Sequence, residues 1–201
     1  MKARIHVTEF NRLITATKKF VGASMAKEVH QWIRLDFCET EKAITASACD
    51  GHRLSVEKTQ GTWAVEGTFT AYIRPNIGKL RKSRRFNVSE VVDLELCGDR
   101  LLIEYKGSIH GFKQPCGEGF DHQKAIDDST QSDVVYRIGF NPRYLVDALQ
   151  SFDTPSTLRE AIVLEFRDPQ KPAFIKMRGF GDRMVLPVRL KEGCDYAEVR
   201  R

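Results

Sequence analysis

No apolar run in these 201 residues approaches the roughly 20 consecutive positions that a membrane-spanning helix needs. The opening stretch, MKARIHVTEF, turns polar before the apolar core of a leader peptide develops, so no signal peptide and a cytoplasmic location are expected. Cysteine is scarce and odd in number: Cys38, Cys49, Cys97, Cys116 and Cys194 are widely scattered and read as free thiols, not as a disulfide framework. There is no glycine-rich phosphate loop, no HExxH and no convincing pair of carboxylates, so no cofactor is expected. Neither sign of charge dominates. Thirty-two Lys and Arg against 27 Asp and Glu leave a net charge of +5, which permits a polyanionic partner without demanding one. The 41% apolar content gives real cores to one large domain or two small ones.

One short stretch looks chemical. ITASACDGHRLSV, residues 44–56, places Cys49, Asp50 and His52 within four positions. A Cys-His nucleophile is disfavoured because triads assemble in space and seldom from neighbours along a strand. A zinc site from Cys49, His52, Cys116 and His122 has no familiar ligand spacing. The structural alternative is simpler: ITASA runs into Asp50-Gly51 and HRLSVEK runs out, a tight turn between two strands. No catalytic residue and no metal ligand are assigned, and the chain is read as not an enzyme.

The rest of the chain repeats a pattern. TEFNRLITATKKFVG carries a helical stripe (Phe10, Leu13, Ile14, Phe20, Val21), with Thr8 as N-cap and Gly22 as terminator. NPRYLVDALQSF is a second helix, capped by Asn141, with Pro142 at its first position and Tyr144, Leu145, Ala148, Leu149 and Phe152 toward the core. RPNIGKLRKS between them is a weaker helix, anchored by Ile77 and Leu80. Phe10, Ile77 and Tyr144 recur at a spacing of 67 residues. After each helix comes an alternating strand: Ile33, Leu35 and Phe37; then Val92, Leu94 and Leu96; then Ile162, Leu164 and Phe166. Turns in CGDRLLIEY and FRDPQKPAFIK lead into further strand, and ARIHV, FTAYI and VYRIGF precede the three helices. The fold class is therefore α+β, built from three strand-helix-strand repeats. Residues 1–114 form a complete two-repeat domain, 115–134 a connector of little periodicity, and 135–201 a single repeat.

The basic run KLRKSRR suggests a surface for polyphosphate. With Ile77 and Leu80 inward, Lys79, Arg81, Lys82, Arg84 and Arg85 are left outside, where each cation displaces condensed counterions without reading sequence. Lys18, Lys19 and Arg143 lie on comparable elements, and helices sharing one face would add these charges into one field. A solvated basic face is the plainer alternative.

Three motifs, in order, resemble the bacterial sliding-clamp family, the beta subunit of DNA polymerase III. CDGHRL resembles the Thr-Asp-Gly-His-Arg-Leu turn of the clamp's middle domain. IGFNPRYLVDAL is similar to the helix opening the second half of its last domain, and MVLPVRL to the Met-Pro-Met-Arg-Leu segment that ends it. GEGFDHQKA falls where the family has its Gly-Phe-Pro-Asp connector. The resemblance spans most of residues 1–190 and describes a truncated clamp: the middle domain plus the second half of the last.

It implies a DNA-clamp fold and a replication processivity or tethering role: non-specific association with double-stranded DNA, and recruitment of polymerase or other replication and repair proteins through short Leu/Phe-containing peptides. The implied peptide pocket uses Trp32, Gly51, His52, Arg53 and Leu54 with Tyr144, Pro187, Val188, Arg189 and Leu190. A homo-oligomer is expected, because three repeats do not close the family's ring. A peptide-binding adaptor or decoy that never encircles DNA is the alternative. Two departures bear on the pocket shape, Cys49 for threonine and Val188 for methionine, and Asp121 stands where the family's connector has proline. An extension, residues 191–201, runs past the segment that ends the family's chains.

Overall fold

The computed structural model describes residues 1–22, 28–59, 64–81, 90–117, 119–131, 134, 137–152 and 161–188. It forms two compact units, Met1–Thr130 and Gln131–Arg201. The α+β class is as expected, and of the three α-helices among the described residues two lie where the sequence placed helices.

In the first unit, β1 (Lys2–His6) leads into α1 (Val7–Thr17). The N-cap is His6, not Thr8: its Nδ1 accepts the Thr8 N–H at 3.1 Å. A 3-10 turn, Lys18–Phe20, follows the helix, so the stripe is broken before Phe20. Next come β2 (Ile33–Cys38), β3 (Ala43–Cys49), β4 (Leu54–Lys58), β5 (Ala64–Glu66) and β6 (Phe69–Ile73). β7 (Val91–Cys97), β8 (Arg100–Tyr105) and β9 (Ser108–Lys113) complete the unit's strands.

The strands form two antiparallel sheets, ordered β5-β1-β7-β8-β9 and β4-β3-β2-β6. Each repeat lends its leading strand to the other's sheet: β1 pairs with β7 (Ile5 opposite Val92), and β6 with β2 (Ile73 opposite Ile33). This exchange makes one shared core. Phe10, Leu13, Leu35, Phe37, Ile73, Leu94 and Ile103 are all essentially buried, and Phe37 stacks on Phe69 at 4.1 Å. At ~25 cal/mol per Å² of apolar surface, such burial dominates the stability of a unit this size.

One expectation fails here, for a local reason. RPNIGKLRKS forms no helix over residues 74–81; Pro75 and Gly78 both disfavour one. Asn11 of α1 instead clasps the segment, with Nδ2 donating to the Leu80 carbonyl and Oδ1 accepting its N–H, both at 2.9 Å. Ile77 still reaches the core. The stretch 115–134, read from the sequence as a connector, contains α2 (His122–Ser129) in the first unit. Asp121 caps it by accepting the Lys124 N–H at 3.0 Å, and this bond holds its carboxyl below the usual range.

The second unit holds α3 (Pro142–Gln150) with β10 (Val163–Glu165), β11 (Ala173–Lys176) and β12 (Arg183–Val185) in the order β10-β11-β12. Asn141 caps α3, accepting the Arg143 N–H at 3.0 Å, with Pro142 at its first position. Its buried cluster is small: Phe152, Ile175, Met177 and Val185, with Phe140, Leu145, Ala148 and Leu149 packed against it. Tyr144 is not a core residue; it is 62% exposed. Ile162, Leu164 and Phe166 are not buried either, at 38%, 45% and 39% exposed. No helix among the described residues is long and apolar enough to cross a membrane.

Candidate functional site

The hairpin β3–β4 turns across Asp50–Arg53, with Cys49 opposite Leu54. Gly51 sits at φ +90°, a backbone region that side chains with a Cβ avoid, and a Cβ there would meet nothing within 4 Å. The conformation, not crowding, asks for glycine. One Asp50 oxygen accepts the His52 and Arg53 N–H groups at 3.0 and 2.8 Å. The other accepts Arg53 Nε at 3.0 Å and Nη2 at 2.6 Å. The Arg53 guanidinium, with the two backbone N–H groups behind it, holds the Asp50 carboxyl down to about 2. Arg53 also donates to the Lys19 carbonyl at 3.2 Å and lies 5.4 Å from the Phe20 ring centre. The tip is therefore tied to the chain that leaves α1, with Gly51, His52 and Arg53 exposed and Leu54 half-buried.

Behind the turn lies a recess that brings Trp32 together with Cys49. Val29, His30, Arg34, Ser47, Ala48, Tyr72 and Phe120 complete its walls. Its cavity volume of about 20 Å³ holds about one water. Trp32 is only 6% exposed, the Arg74 guanidinium lies 3.9 Å over its ring, and Nε1 is buried without a hydrogen-bond partner. Arg34 ties the recess to the start of α2, donating to Asp36 at 2.9 Å and to the Phe120 carbonyl at 3.0 Å. Burial pushes the Tyr72 hydroxyl up. At Gly119 a Cβ would fall 2.1 Å from that hydroxyl, so a side chain there would force Tyr72 to shift.

Arg74, Tyr72 and Phe120 escaped the sequence reading. Phe120 had a usable signal, its place in GEGFDHQKA, whereas Arg74 and Tyr72 sit on a segment read for its apolar periodicity alone. Of the remaining pocket residues, Tyr144, Pro187 and Val188 belong to the second unit, where Val188 donates to the Gly139 carbonyl at 2.8 Å. Arg189 and Leu190 lie outside the described residues, as does the 191–201 extension.

The basic residues divide similarly. Lys18 and Lys19 are exposed on the 3-10 turn after α1. Lys79 and Arg81 are exposed on the segment that Asn11 clasps to α1. Arg143 is exposed in the first turn of α3. Lys82, Arg84 and Arg85 lie outside the described residues. Among the described residues, no three His, Cys, Asp or Glu side chains cluster as a metal site would need.

The sequence matches no protein-family model and no curated protein. Solved structures do match. The Helicobacter pylori beta clamp bound to a DNA ligase peptide superposes with a TM-score of 0.71 at 13% identity, covering 98% of this chain and 52% of that one. DNA polymerase III subunit beta from Borrelia burgdorferi, in complex with a natural product, gives 0.67 at 13% identity, with 92% and 47% covered. The Bacillus subtilis DNA polymerase sliding clamp gives 0.53 at 16% identity, with 95% and 65% covered. The chain has the fold of the bacterial sliding clamps and spans about half the length of the first two of these.

Proposed function

We propose that the chain is a non-enzymatic, clamp-like tether that binds double-stranded DNA non-specifically through its basic segments and recruits partner proteins by short Leu/Phe-containing peptides. One observation carries the reading: the rigid Asp50–Arg53 turn and the Trp32 recess meet in the first unit, giving an apolar wall beside exposed polar handles. A peptide needs that combination, since its apolar side chain packs against the wall while its backbone finds donors. Trp32 Nε1 is buried and unpartnered, so a peptide carbonyl would accept from it once the recess opens. The Helicobacter pylori clamp, which has the same fold, binds a DNA ligase peptide. Lys18, Lys19, Lys79, Arg81, Lys82, Arg84, Arg85 and Arg143 supply the phosphate contacts, and several copies of the chain assemble.

Replacing Arg81, Lys82, Arg84 and Arg85 by alanine tests the DNA half. Duplex affinity measured by fluorescence anisotropy falls, and the salt slope flattens by about 0.9 for each phosphate that is no longer neutralised. Peptide affinity stays unchanged. Unaltered DNA binding would remove the role of this run.

The adaptor or decoy reading, which keeps the peptide surface and dispenses with encirclement, is favoured by one feature. The second repeat has no helix over residues 74–81, where a clamp-like DNA-facing helix was expected. Peptide binding without any salt-sensitive duplex binding would select it.

A further inference from the structure

The single repeat of the second unit is an unfinished version of what the first unit completes. In the first unit, the leading strand of each repeat pairs with a strand of the other repeat. β1 pairs with β5 on one side (Arg4 opposite Ala64) and with β7 of the other repeat on the other side (Ile5 opposite Val92). Reciprocally, the first repeat's β2 receives β6 from the second (Ile33 opposite Ile73, Leu35 opposite Ala71).

The second unit shows half of this pattern. Its leading segment, residues 137–140, bridges the late segment at Gly139 opposite Val188, as β1 does with β5. Among the described residues, 138–140 have no strand partner on their other side, and β10 ends its sheet with a free edge. The side chains match the missing partner. Leu164 lies opposite Ile175, which is fully buried, so it points to the core side of the sheet, yet it remains 45% exposed. Its counterparts Leu35 and Leu94 are each 1% exposed. Ile162 and Phe166 flank it at 38% and 39% exposed. A free strand edge beside uncovered core residues is a pairing surface.

We propose that a second copy of the chain closes this unit by reciprocal strand exchange. The 137–140 segment of each copy lies antiparallel against β10 of the other, with Phe140 opposite Ile162 and Ile138 opposite Leu164. This is the register that Ile5–Val92 and Ala3–Leu94 adopt in the first unit. The occupant is a second copy because the missing element is the repeat that the unit itself contains. The exchange is mutual, so the interface is isologous and closes at two chains. It does not depend on DNA or peptide binding.

Light scattering on a sizing column, across a dilution series of the full chain, should give twice the 22.9 kDa chain mass, falling to the single-chain mass on dilution. Leu164→Glu should hold the chain at the single mass at every concentration while its circular dichroism stays native-like. A wild-type chain that is always monomeric overturns the proposal, because its own chain then covers the face. A Leu164→Glu chain that remains dimeric also overturns it, because the interface then lies elsewhere. If that variant does not fold, an Ile138→Cys chain and a Leu164→Cys chain are mixed and oxidised. A disulfide-linked pair should form above the level of either chain alone or of wild type, and no such excess overturns the proposal.

Discussion

Trp32→Phe sets two effects of similar size against each other. The indole is 6% exposed, and losing its outer ring forfeits packing; scaled from the ~3–5 kcal/mol of full Trp truncation, this is about 1–2 kcal/mol. Against this, Nε1 is buried without a partner, and an unsatisfied buried donor costs about 1–3 kcal/mol that phenylalanine does not incur. The two nearly cancel, so urea denaturation should show a stability change within about 1 kcal/mol. Peptide affinity behaves differently. If a peptide carbonyl accepts from Nε1, its loss costs about 0.5–1.5 kcal/mol, roughly 2- to 12-fold in Kd by calorimetry. A stability loss beyond about 2 kcal/mol would show that the indole N–H is already satisfied. An unchanged Kd would show that it never meets the ligand.

Asp50 gives a pH prediction. Its folded pKa, about 2, lies below the ordinary 3.8, so the turn's stabilisation is complete above pH ~4 and is lost as pH falls toward 2. Carboxyl NMR should place its midpoint near 2, and a midpoint near 3.8 would mean that the Arg53 pairing does not hold in solution. Gly119→Ala forces its Cβ against Tyr72 and should cost about 1–3 kcal/mol with a change in near-UV dichroism; a neutral substitution would mean the ring moves freely. Leu35→Ala opens a cavity between the two sheets and should lower stability by about 2–5 kcal/mol in denaturant unfolding, with less than 1 kcal/mol refuting the shared core.

Periodicity and turn chemistry made several elements of both units legible. The alternation at Ile33-Leu35-Phe37 and Val92-Leu94-Leu96, the Asp50-Gly51 turn and the Asn141-Pro142 helix start each depend on near neighbours, which is the information a sequence displays directly. The motif order CDGHRL, NPRYLVDAL, MVLPVRL pointed to the clamp fold that the solved structures share.

Other features needed the tertiary structure. RPNIGKLRKS has apolar spacing compatible with a helix, but over residues 74–81 Asn11, more than sixty residues away, captures its backbone in another conformation. The α2 helix has a weak stripe and forms behind a cap, Asp121, that looked only like a departure from a proline. Arg74 over Trp32 and Phe120 at the recess are neighbours brought together by strand order, which no local pattern encodes. Most telling is the alternating Ile162-Leu164-Phe166. The same kind of pattern is buried in the first unit and left half-bare in the second. Alternation determines which face a side chain takes, but only the presence of a second repeat decides whether anything covers it.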